Sequence, residues 1–69
     1  MARLEQFLYF INGVEVTREY CSLHLGGMLD CIPKDIIIEY EMMAEECFMV
    51  AGAIAYYCPD TGVTIKKNI

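Results

Sequence analysis

The chain has 69 residues, 57% of them hydrophobic, with ten Asp and Glu against five Lys and Arg and a formal net charge of -5. A single domain of this length buries only about 60% of the surface its unfolded form exposes, so its core must be dense, and the apolar content excludes intrinsic disorder. The acidic balance disfavours direct contact with nucleic-acid phosphates and makes a basic partner electrostatically easier.

The N-terminal stretch MARLEQFLYFING carries no signal-peptide cleavage pattern. The longest uncharged apolar run, Cys47 to Cys58, falls short of the ~20 residues that cross a bilayer. The expectation is a soluble, cytoplasmic protein with no membrane partner. Glu5 to Ile11 reads as a strand, Asn12-Gly13 as a turn, and Val14-Glu15-Val16 as a short return strand, because Asn-Gly suits the two positive φ angles of a type I′ hairpin. Thr17 then stands where an N-cap hydroxyl is needed. A short helix is predicted to about Leu25, with Tyr20, Leu23 and His24 as its apolar stripe and Gly26-Gly27 as its stop. Met28 to Ile32 reads as a connection.

Pro33 suits the first turn of a second helix, and Asp35 meets the positive end of its dipole. Periodicity places Ile36, Tyr40, Met43, Cys47 and Val50 on the core face, widened by Ile37, Ala44, Phe48 and Ala51. The alternation Ile38-Glu39-Tyr40-Glu41-Met42 leaves a strand over 36–42 as the alternative. Gly52 closes the helix, Ala53 to Cys58 reads as a strand, and Pro59-Asp60-Thr61-Gly62 as a turn. Val63 to Lys67 is the return strand, its lysines suited to a solvent-facing edge. The fold class is α+β: about four antiparallel strands in two hairpins, with two helices packed on one face.

The four cysteines are spaced C-x9-C-x15-C-x10-C, without the C-x2-C pairs of zinc or redox motifs, and are expected as reduced core thiols. Cys21, His24 and Cys31 form the alternative, a metal or redox module. Gly26-Gly27 has no Walker-type Lys-Ser/Thr after it, and adjacent Glu45 and Glu46 diverge by ~100° on a helix. No catalytic residue, metal or cofactor is therefore assigned. Phe7, Tyr9, Phe10, Tyr56 and Tyr57 on strands suggest a stacking platform for single-stranded nucleic acid, but so acidic a chain fits sheet packing better.

The outer arc of the second helix departs from what folding alone asks. It carries Asp35, Glu39, Glu41, Glu45 and Glu46, with Ile38, Met42 and Met49 among them. Asp35 with Glu39 and Glu41 with Glu45 are like charges at i, i+4, costing ~0.2–0.5 kcal/mol each. Spread over eleven helical steps, five carboxylates give one per ~3.3 Å, close to the ~3.4 Å of strand phosphates. These eight residues are the expected partner-binding site, directed at a protein with a basic, nucleic-acid-binding surface. The alternative is a structural or accessory subunit, monomer or weak homodimer, docking through the Ile38, Met42, Met49 seam.

In its small size, acidity, hairpins and helices without a catalytic motif, the chain resembles the phage-encoded anti-CRISPR inhibitors. The resemblance implies a non-enzymatic inhibitor that binds a bacterial defence complex where target DNA would lie. It assigns no residues.

Overall fold

Asn12 and Gly13 hold φ at 51° and 85°, the positive pair that lets strand β1 (Phe7–Ile11) fold back as β2 (Val14–Val16). The computed structural model describes residues 7–68, so the expected start of β1 at Glu5 lies outside the described residues. A second hairpin pairs β3 (Ala55–Cys58) with β4 (Val63–Lys67), and the two hairpins join antiparallel through β1 and β4 in the order β2-β1-β4-β3. Register aligns Val16, Tyr9, Ile65 and Tyr56 in one row and Val14, Ile11, Val63 and Cys58 in the next. β4 is thus a central strand, correcting its expected place at an edge. Val63 and Ile65 are fully buried, and Lys66 instead lies over the Phe10 ring at 5.7 Å on the opposite face.

Helix α1 (Arg18–Leu29) begins where Thr17 Oγ1 accepts from the Tyr20 N–H at 3.1 Å. It does not stop at Gly26-Gly27 but runs on to Leu29, with Asp30 left-handed as its C-cap. Gly26 serves contact instead: a Cβ there would meet Pro33 Cγ at 2.7 Å and the Cys31 carbonyl oxygen at 3.0 Å. The missing side chain lets α1 lie against the start of the next helix. Its buried residues are Cys21, Leu25 and Gly26, so the expected stripe is corrected, with Tyr20 and Leu23 exposed.

Helix α2 (Pro33–Ala51) opens with Pro33 in its first turn and closes at Gly52, whose φ of 68° ends it. The strand alternative over 36–42 is excluded. Ile36, Ile37, Tyr40, Ala44 and Phe48 are buried against Tyr9, Val63 and Ile65 of the sheet and Cys21 and Leu25 of α1. Met43 and Val50, expected in this stripe, are exposed. The cause is angular: at ~100° per residue the buried side chains of α2 centre between Tyr40 and Ala44, and Met43 and Val50 lie roughly 90–110° to one side of that centre, beyond the edge of the buried arc.

Candidate functional site

Ile38, Met42 and Met49 are 49%, 63% and 79% exposed on the side of α2 turned away from the core. At ~100° per residue these three fall within about 40° of one another and form an apolar ridge. Lys34 and Glu45 flank it on one side, and Asp35, Glu46 and Glu39 follow on the other. All five are exposed, and the four carboxylates make no ion pair among the described residues. Met42, Met43, Met49 and Val50 line a shallow groove of about 540 Å³, with Glu39, Glu45 and Glu46 also in its lining. Methionine side chains are unbranched and polarisable, which lets such a surface adapt to the shape of a partner.

Seven of the eight expected residues therefore share one exposed face, and Glu41 does not. Its carboxylate accepts from Arg18 Nε at 2.6 Å and from Arg18 Nη2 at 3.0 Å, and it also accepts the Tyr9 hydroxyl. Burial alone would raise its pKa. The hydrogen bonds from Arg18 and Tyr9 and the guanidinium charge outweigh burial and hold it below the usual carboxylate range. The same contact, after burial, pushes the Tyr9 phenol up. Glu41 is a tie between α1, α2 and β1, and its role is structural.

Removing Glu41 from the outward set changes the charge spacing. Four carboxylates over the same eleven steps give one per ~4 Å, looser than strand phosphates. The face is an acidic, methionine-rich ridge with diffuse charge and does not reproduce a phosphate ladder.

The expected metal alternative finds no assembly. Cys21 is fully buried, Cys31 is exposed with its thiol donating to the Leu29 carbonyl at 3.2 Å, and His24 Nε2 meets the Thr61 carbonyl oxygen at 3.0 Å. Among the described residues no three His, Cys, Asp or Glu gather as metal ligands. All four thiols are free, but only Cys21 is buried in the core; Cys31 is exposed, and Cys47 and Cys58 are half-buried. Of the strand aromatics, Phe7, Tyr9 and Tyr56 pack with the helices, Phe7 meeting Phe48 in a tilted pair at 6.1 Å and Tyr56 meeting Tyr40 edge-to-face at 6.2 Å between ring centroids. Phe10 and Tyr57 lie on the other face. Among the described residues no helix is long and apolar enough to cross a membrane. Comparison of the chain with protein-family models, with curated proteins and with solved structures yields no match.

Proposed function

We propose that the protein is a non-enzymatic binding protein that docks the outer face of α2 on a basic protein surface. In the form the sequence resemblance implies, that surface is the nucleic-acid channel of a CRISPR-type defence complex, and docking blocks access of target DNA. The observation that carries the reading is the exposed Ile38, Met42, Met49 ridge flanked by Asp35, Glu39, Glu45 and Glu46, none of them in an ion pair among the described residues. Opposite charges steer encounter, and short-range apolar contact then slows dissociation.

Self-association through the same ridge is the second reading, favoured by the high exposure of Met42 and Met49. It is the weaker one, because two copies meeting there bring four flanking carboxylates from each together with only Lys34 of each as counter-charge. Sedimentation at micromolar concentration distinguishes them: the docking reading expects a monomer.

The test uses a panel of purified RNA-guided nuclease complexes and follows cleavage of target DNA. Inhibition of at least one complex is expected. The variant Asp35→Asn, Glu39→Gln, Glu45→Gln, Glu46→Gln should lose it by roughly tenfold or more, at ~0.5 kcal/mol or more for each charge removed. Undiminished inhibition by this variant would remove the acidic face from the mechanism.

A further inference from the structure

On the turn between β3 and β4, away from the α2 ridge, one thiol is surrounded by hydrogen-bond donors. Cys58 ends β3, and its carbonyl accepts from the Thr61 and Gly62 N–H groups at 3.3 and 2.9 Å, so the turn closes over its own start. The Tyr40 hydroxyl on α2 lies 3.3 Å from Cys58 Sγ. Thr61 is only 4% exposed and its Oγ1 has no hydrogen-bond partner, while Tyr40 and Cys58 are near enough for its hydroxyl to favour their ionised forms. His24 on α1 holds the same residue from behind through the Thr61 carbonyl.

A buried hydroxyl left without an acceptor costs ~1–3 kcal/mol, and a neutral thiol is too weak an acceptor to relieve it. A negative charge on sulfur, or an oxygen added to it, supplies the missing acceptor. The orphaned Thr61 hydroxyl therefore points to an anionic or oxygenated sulfur at Cys58.

We propose that Cys58 is a modification site, the thiol of this protein that reacts selectively with hydroperoxides. The sulfur attacks one peroxide oxygen: an S–O bond forms, the O–O bond breaks, and sulfur gives up two electrons to become a sulfenic acid. The peroxide is reduced to water or an alcohol, whose oxygen takes the proton of the thiol. The new oxygen lies where Tyr40 and Thr61 donate. Cys58 has the supporting electrostatics: the Tyr40 hydroxyl first, then the Thr61 hydroxyl and the N–H groups of Thr61 and Asp60, outweigh burial and hold its pKa below the usual thiol range. Cys21, by contrast, is fully buried and pushed up to about 11, chiefly by that burial.

Exposure alone makes the opposite choice, since Cys31 is the exposed thiol and Cys58 only half-buried. The protein is treated with limiting hydrogen peroxide in the presence of a sulfenic-acid trap, and each cysteine is quantified by mass spectrometry. Cys58 should be trapped at least about threefold faster than Cys31, since reactivity follows thiolate character. Thr61→Val should lower that ratio by about threefold or more. Buried Cys21 reports unfolding within the same sample, and where its labelling shows that Thr61→Val has not folded, the wild-type ratio decides alone. Labelling of Cys31 as fast as Cys58 overturns the proposal, as does an unchanged ratio in folded Thr61→Val.

Discussion

Arg18 and Glu41 join α1 to α2 as a two-pronged pair, Nε to Oε2 at 2.6 Å and Nη2 to Oε1 at 3.0 Å, and the Tyr9 hydroxyl of β1 closes on the same carboxylate. The Glu41 side chain is 16% exposed and that of Arg18 50%, so the cost of loss is unequal. Glu41→Gln keeps the shape and removes the charge, and should lower unfolding free energy by ~1–3 kcal/mol. Arg18→Ala, acting on a solvent-screened partner, should cost ~0.5–1.5 kcal/mol. Urea denaturation measures both, and an unchanged midpoint for Glu41→Gln would contradict the tie.

The pH profile of stability should have two limbs. Glu41 titrates in the fold below its ordinary value of 4.5. Its contribution is present above that value and is lost as pH falls through the lower native pKa, because the unfolded chain takes up the proton first. At the alkaline end burial pushes Cys21 from 9.0 up to about 11 and Tyr40 from 10.0 up to about 12, and it raises Tyr9 and Tyr56 as well. The unfolded chain releases these protons while the fold still holds them, so stability falls from about pH 9 upward. Thermal melting followed by circular dichroism across pH checks both limbs. Glu41→Gln should flatten the acid limb and also soften the alkaline one, because the Glu41 charge helps the fold hold the Tyr9 and Cys21 protons.

Neighbouring glycines should answer oppositely to alanine. Gly26→Ala sets a Cβ against Pro33 and the Cys31 carbonyl, and should destabilise by ~1–3 kcal/mol. At Gly27 a Cβ meets nothing within 4 Å, and alanine should stabilise by ~0.5–1 kcal/mol through helix propensity. Equal shifts in melting temperature would contradict the close approach of α1 to Pro33.

On the outer face of α2, stability and binding should separate. Met42→Gln with Met49→Gln touches side chains that contribute little to the core, so folding should change by less than ~0.5 kcal/mol. Inhibition of a responsive nuclease complex should weaken severalfold. Raising salt should slow association of the wild type as the Debye length shrinks below ~10 Å. Salt-independent association would argue against electrostatic steering.

What the sequence reveals here is what a few adjacent residues decide. Asn12-Gly13, Thr17, Pro33 and Gly52 each carry a local backbone requirement, and each stands where the structure needs it. Gly26 looks like a helix stop because its real constraint, Pro33 seven residues on, is tertiary. Glu41 repeats the spacing of the other carboxylates along α2, yet its partners Arg18 and Tyr9 lie 23 and 32 positions away. The α2 stripe misleads for a related reason: periodicity shows an apolar arc, but the sheet and α1 decide that its buried part centres between Tyr40 and Ala44, which leaves Met43 and Val50 outside it. Cys58 gave no signal at all, since its donors come from Tyr40 on α2 and from the turn that follows.

The pairing of β1 with β4 sets a timetable. Tyr9 and Ile65 face each other across the middle of the sheet, so no stretch of nascent chain can complete a core before Ile65 has been made. Until then β1 has only the three residues of β2 beside it, while the apolar face of α2 is already synthesised. The sheet core therefore closes only when the last strand is made, and removing a few residues from β4 would leave Tyr9 and the apolar face of α2 without their central partner.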